Sequence, residues 1–323
     1  MKLLAPVNSL KSAEAQIKAG ADEIFVGISS NYYKNYSFSG RGQVNTKGEV
    51  IVSKGSELND IIALSHKNNV TVSLAANTSM FSDYKLDDLE NEYIKSIENA
   101  AQAGVDNVII GDVGLLYKVA SLNLPIHLHA STFFDTINIE QLKFLKSIGA
   151  SRAILTYQIS IDEIRSLVEA NILEIEAFGY LSCSFYNGCC NLTHDMGETA
   201  EDRALIGTPC KCTYDINNEF IHRDNIPFFD ADLACGLCSI KKLMNCGLDV
   251  IKIAGRERDY NYIKEITKTF RQAMDFAQEQ DEQEYIDYIH NIVPSWWKRI
   301  YCEKNKCKYE KNEITESYIG RMK

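Results

Sequence analysis

The sequence predicts an α/β fold, a (β/α)8 TIM-type barrel, on three observations. A phrase recurs four times: "AGADEIFVG" (Ala19–Gly27), "AGVDNVIIG" (Ala103–Gly111), "IGASRAILT" (Ile148–Thr156) and "CGLDVIKIAG" (Cys246–Gly255). In each, a helix ends at a glycine, a short turn follows, and a β-branched apolar run begins. Gly20, Gly104, Gly149 and Gly247 stand where a helix C-cap needs a left-handed residue. The runs are nearly continuous in Val and Ile, as in parallel strands buried on both faces. Filling in the remaining units gives eight alternations, the count of a closed barrel. A doubly wound open sheet is the second reading, because periodicity does not reveal closure.

In chain order, strands are expected near 2–5, 23–27, 70–76, 106–111, 125–130, 152–156, 172–178 and 249–254. Amphipathic helices fall between them, among them Leu58–Lys67 and Leu86–Ala103. The helix after strand six opens on a capping box, Ser160 with Glu163. Two segments break the rhythm. Residues 28–55 contain "NTKGEVIVSKG", read as a small hairpin in a long loop. Residues 179–248 separate strands seven and eight, far longer than a usual βα loop. The barrel is therefore assigned to residues 1–258, with a cysteine-rich insert at 179–248. Residues 259–323 read as a helical, charged extension packed on it.

Hydrophobic residues make up 45% and charged residues 24%, an ordinary globular balance. No apolar run has the length of a membrane helix. "MKLLAPVNSL" has too little apolar length for a signal peptide, so a cytoplasmic location and no membrane partner are expected. The net charge of −10 argues against a broad phosphate-binding surface, and so disfavours RNA, while leaving room for a small basic pocket.

The ten cysteines are uneven. None precedes Cys183, and seven fall between Cys183 and Cys238. Core thiols scatter, so this clustering points to a site rather than to packing alone. Four thiolates suit iron–sulfur clusters and structural zinc alike. The spacing is not the paired CxxC of a zinc ribbon, although Cys235 and Cys238 make half of one. Reduced, buried cysteines remain the plain alternative. Cys302 and Cys307 read as ordinary thiols and Cys246 as a core residue.

At these residues the chain resembles the peptidase U32 family, the collagenase-like peptidases. "LLAPVNSLKSAEAQIKAGADEIFVG" is similar to the family's opening, and "VIIGDVGLL" and "LPIHLHAST" to its middle strands. "EAFGYLSCSFYNGCCNL" is similar to its signature through Glu176, Phe178, Cys183, Gly188, Cys190 and Leu192. "DLACGLCSIKKLMNCGLDVIKIAGRERDYNY" is similar to its last barrel unit. There are departures. The signature is one residue short, its glycine moves to Gly179, and Thr193 replaces a serine. Cys189, Cys212 and Cys238 are extra thiols. The Arg–Glu pair usual after strand six is absent from Tyr157-Gln158-Ile159.

The resemblance implies a 4Fe–4S cluster held by Cys183, Cys190, Cys210 and Cys235, with zinc as the alternative metal. It implies oxygen-independent hydroxylation of an aromatic small molecule or RNA base, with a prephenate-like carboxylate as oxygen source. It also implies a hetero- or homodimer with another U32 protein. Proteolysis, the other activity given to the family, has little support in the residues. There is no His-Glu-x-x-His motif and no Gly-x-Ser-x-Gly elbow. His194 is the nearby histidine for a cysteine nucleophile, and a thiolate committed to iron is not available for attack. A non-catalytic, cluster-bearing partner is a third reading.

Strand ends nominate further residues. Asn77, Asp112, His129, Tyr157 and Glu176 are expected toward the C-terminal mouth. His127 and His129 are read as facing opposite sides of strand five, one of them toward the interior, with His129 nearer the mouth. Arg256, after strand eight, has the fork to grip a carboxylate. Glu176 reads as a general acid/base or as an inward carboxylate pairing Lys252. The aromatic "SSNYYKNYSF" reads as a loop covering substrate.

Overall fold

The computed structural model of the protein describes residues 1–27, 55–77, 86–184, 213–218, 222–226, 230–256, 258–278 and 281–309. Eight parallel strands close into a ring: β1 (Lys2–Pro6), β2 (Glu23–Gly27), β3 (Thr71–Ala76), β4 (Asn107–Ile110), β5 (His127–Ala130), β6 (Arg152–Ile154), β7 (Glu174–Ser184) and β11 (Val250–Ile253). β7 pairs with both β6 and β11, and β11 pairs with β1, which shuts the barrel. The closed reading therefore holds over the open sheet.

Helices α1 (Leu10–Lys18), α2 (Gly55–Lys67), α3 (Leu86–Gln102), α4 (Val113–Ser121), α5 (Ile139–Ser147) and α6 (Ile161–Glu169) follow the first six strands. α7 (Ile240–Asn245) precedes β11, and α8 (Tyr260–Ala277) follows it. The four cap glycines have φ of +94°, +94°, +104° and +79°, left-handed as the repeat predicts. Asn69, Asn123 and Asn171 take the same conformation after α2, α4 and α6. The Ser160–Glu163 capping box forms in both directions. α8 lies against α1 and β1: Gln16 donates to the Tyr260 carbonyl, and Arg271 donates to Gly20 O and binds Asp22. The helix after Asp259 thus occupies the place of the barrel's eighth helix.

β7 corrects the expected layout. Instead of stopping at 178 it runs eleven residues, to Ser184. Its second half pairs antiparallel with β10 (Asp230–Cys235), the strand on which the insert returns. A shorter ribbon, β8 (Tyr214–Asn217) with β9 (His222–Ile226), lies within the insert. The pairing of β7 with β11 shifts register between Phe178 and Tyr180, a bulge with Gly179 at its centre. A Cβ on Gly179 would lie 2.6 Å from Phe270 and 2.7 Å from Ile251, so only glycine admits α8 so closely. The bulge also resets the alternation. Phe178 belongs to the interior cluster, whereas Tyr180 joins the outer core.

The chain continues through α9 (Glu282–Ile292), which lies against α8 and the turn at Leu237–Ser239, and α10 (Ser295–Ile300), which lies against Tyr180 of β7. Trp297 is fully buried, with ring centroids 6.2 Å from Tyr180 and 5.6 Å from Tyr301. Tyr301 donates to the Tyr180 hydroxyl at 2.7 Å, and Tyr180 shares a 2.8 Å hydrogen bond with Tyr262. Tyr285 donates to Leu237 O at 2.7 Å. Cys246 is core, as expected, its thiol donating to Leu243 O. Among the described residues no helix is long and apolar enough to cross a membrane. The expected hairpin and the aromatic "SSNYYKNYSF" lie outside the described residues.

Candidate functional site

The barrel interior is part apolar and part charged. Leu4, Phe25, Ile109, Ile154, Phe178 and Val250 form its apolar layer. Beside them a buried ion network crosses the lumen. Arg152 on β6 donates to both oxygens of Glu23 on the opposite strand β2, at 2.6 and 2.9 Å. It also reaches Glu174 at 2.9 Å and Glu176 at 3.2 Å. Lys252 donates to the second oxygen of Glu176 at 2.9 Å, and Lys2 sits 3.1 Å from Glu23. Three cations meet three carboxylates, so the network is neutral.

Burial disfavours charge on Arg152, but the Glu23 hydrogen bond and the carboxylates around it outweigh that and hold its pKa above the ordinary value. Glu23 is likewise opposed by burial and still held low by Arg152. Lys252 is lowered, chiefly by burial, despite Glu176.

This network relocates one expected site residue. Glu176 lies in the first part of the lengthened β7, not at a strand end, and both its oxygens are taken by Lys252 and Arg152. Of the two roles read for it, the inward carboxylate paired with Lys252 is the one its geometry matches. His127 and His129 do not face opposite sides of β5 as expected: two residues apart on a strand, they share one face. His127 is exposed, and His129 is buried level with Arg152. Burial, then the Arg152 and Lys252 charges, push His129 well below its usual value, so its ring is neutral. Its Nδ1 has no hydrogen-bond partner among the described residues. Asp112 caps α4, accepting from Leu115 N at 2.9 Å. Asn77, at the end of β3, keeps a buried Oδ1 without a partner among the described residues.

The mouth lies above this network. Arg256 is buried just beyond β11, behind Gly255 with its φ of +115°, and its carbonyl accepts from Asn8 at 3.1 Å. Tyr157 packs on Phe178 with ring centroids 4.3 Å apart. The Lys252 ammonium lies 4.5 Å from the Phe25 ring and 5.8 Å from that of Phe178.

Residues 306–309 cross this rim. Cys235 N donates to Lys306 O and Lys308 N donates to Cys235 O, both at 2.9 Å, so Cys235 and Cys307 are bridge partners. Tyr309 donates to Phe178 O at 2.6 Å, and Lys308 Nζ donates to the Tyr157 carbonyl. Burial pushes the Lys308 ammonium down to about 7. Neither Lys308 nor the approach of Cys302 and Cys307 to Cys235 was read from the sequence.

Of the four nominated cysteines, Cys235 is the one with a described side chain. Burial pushes its thiol up to about 12, against the opposing pull of Leu237 N–H and the Trp297 indole. Cys183 lies on β7, on the strand paired with that of Cys235. Cys189, Cys190, Cys210, Cys212 and His194 lie outside the described residues. Among the described residues, no three histidines, cysteines or carboxylates gather closely enough to hold a metal ion.

The model of peptidase family U32 matches residues 8–312, nearly the whole chain. The chain belongs to peptidase family U32. Among U32 relatives, it is 27% identical to the Escherichia coli 23S rRNA 5-hydroxycytidine synthase, over 85% of this chain and 39% of that protein. It is 25% identical to Bacillus subtilis tRNA hydroxylation protein P1, over 85% and 63%. It is also 25% identical to a Porphyromonas gingivalis collagenase, over 85% and 65%. This U32 chain thus spans less than two thirds of the length of each of these relatives. It is similar to the solved U32 peptidase Mk0906 at 13% identity and a TM-score of 0.47, covering 79% of this chain and 93% of that one.

Proposed function

We propose that this U32 chain binds a 4Fe–4S cluster through Cys183, Cys190, Cys210 and Cys235, and takes part in oxygen-independent hydroxylation of an aromatic small molecule or RNA base. The observation that carries the reading is the surroundings of Cys235. The Trp297 indole N–H is buried, makes no hydrogen bond of ordinary geometry among the described residues, and pulls against the rise that burial imposes on the Cys235 thiol. A buried N–H without a partner is costly, and a metal-bound thiolate beside it supplies both the charge and the acceptor. The strand pairing of Cys235 with the β7 segment bearing Cys183 supports the same donor set. When bound, the cluster supplies one-electron redox chemistry.

The chain's own residues do the rest. Arg256 holds a carboxylate of the oxygen-donating ligand, prephenate-like in class, by a bidentate fork. His129, whose protonated form burial and the neighbouring cations disfavour, offers its Nδ1 as a hydrogen-bonding atom deep in the barrel. The names of the RNA-hydroxylating relatives support this activity over the peptidase activity that the collagenase relative's name suggests. The net charge of −10 favours a small-molecule acceptor over RNA. Pairing with a second U32 chain belongs to the same reading.

Single serine replacements test it. Cys183→Ser, Cys190→Ser, Cys210→Ser and Cys235→Ser, each purified anaerobically, should lose most of their iron and their visible absorption, whereas Cys302→Ser should keep both. Equal iron in all five variants would remove the cluster assignment.

A further inference from the structure

We propose that Lys308 is an anion-binding residue of the barrel mouth, brought there by a C-terminal strap, and that it takes a carboxylate of the ligand. The inference rests on the reading above for the placing of ligand at the mouth, and extends it to a residue far away in sequence.

The strap is a built feature. Residues 306–309 add to the β10 strand by two backbone hydrogen bonds flanking Cys235. Tyr309 fixes the far end through Phe178 O. A Cβ on Gly236 would stand 3.1 Å from the Tyr309 ring, so the strap is tightly seated against β10. This backbone aims the Lys308 side chain inward, to the carbonyl of Tyr157 just past the end of β6. Tyr157 stacks on Phe178, which belongs to the interior apolar cluster.

The chemistry around that ammonium is incomplete. A lysine near a chain terminus ordinarily snorkels its charge to water. Here the residue is half-buried, its ammonium reaches the Tyr157 carbonyl and lies 4.9 Å from the Tyr309 ring centroid, and among the described residues no carboxylate pairs with it. The barrel's buried cations have carboxylate partners: Arg152 has Glu23, Glu174 and Glu176, and Lys252 has Glu176. Even partial burial of an ammonium without a counter-charge is unfavourable. One of its three donors goes to a neutral carbonyl, which leaves donors for an anion. Arg256 stands on the same arc of the rim, since β6, β7 and β11 are neighbours: Arg256 follows β11, and the Lys308 side chain reaches the carbonyl of Tyr157, which follows β6. Two cations on three adjacent strand ends suit a ligand bearing two carboxylates.

Calorimetric titration of the full chain with malonate and with prephenate tests this, comparing wild type, Lys308→Met and Lys308→Arg, with melting temperatures to verify folding. Malonate should bind wild type, bind Lys308→Met about tenfold or more weakly, and recover most of its affinity in Lys308→Arg. Lys308-dependent binding of malonate without any binding of prephenate would uphold the anion site and overturn the prephenate-like donor. Equal malonate affinity in wild type and Lys308→Met, or no anion binding by wild type, would overturn the role of Lys308.

Discussion

Replacing Arg152 with methionine should destabilise the barrel by about 3–5 kcal/mol, the usual cost of removing one partner from a buried ion pair. The side chain is 2% exposed and bridges Glu23 across the lumen to Glu174 and Glu176. Methionine fills much of the same volume, so the loss comes from electrostatics. Glu23 would keep the half-exposed Lys2, and Glu176 would keep Lys252, but two buried carboxylates would have lost the buried cation they share. The urea midpoint at unchanged slope measures the effect. Adding Glu23→Gln to Arg152→Met should restore part of the loss, because it removes an uncompensated charge. A loss below about 1 kcal/mol, the scale of exposed pairs, would mean that water reaches the network.

Trp297→Ala should cost about 3–5 kcal/mol as well, through a cavity instead of a charge. The indole is fully buried at the meeting of β7, α8 and α10, between Tyr180, Phe270 and Tyr301. Two of those rings, Tyr180 and Phe270, come from distant parts of the chain, so collapse cannot fill the space without moving a helix. The same change should loosen the strap, since residues 306–309 follow directly from this helix. Urea unfolding gives the stability loss. A variant as stable as wild type would mean that the C-terminal helices are an appendage and not part of the core.

Much of the barrel was legible because its signals are local. A glycine after a helix and a β-branched run after the glycine need only a dozen residues to be read, and all four cap glycines have positive φ. Asn69, Asn123 and Asn171 carry the same conformation but stand in turns where asparagine has many uses. The length of β7 was not legible. Its second half depends on β10, about fifty residues on, and "GYLSCS" alone reads as the start of a loop. Gly179 held a clue. The family's glycine is displaced there, and the displacement marks the bulge that turns Tyr180 outward.

The site was legible in proportion to its distance in sequence. Arg152, alone among Ala and Ile in a buried strand, was a local signal that went unread, and Glu174 and Glu176 alternate on the strand beside it. The pairing of Glu176 with Lys252 was read, since each sits inward on an adjacent strand. Cys307 lies about seventy residues from Cys235, so their bridge had no local sign. Lys308 reaches the Tyr157 carbonyl, in the segment after β6, from 151 residues away. No local pattern links those two positions.

The account turns on the metal. Wild-type protein purified without oxygen should be brown, and acid-labile sulfide and iron analysis should find about four of each per chain. A colourless protein carrying one zinc, or none of these, would contradict it.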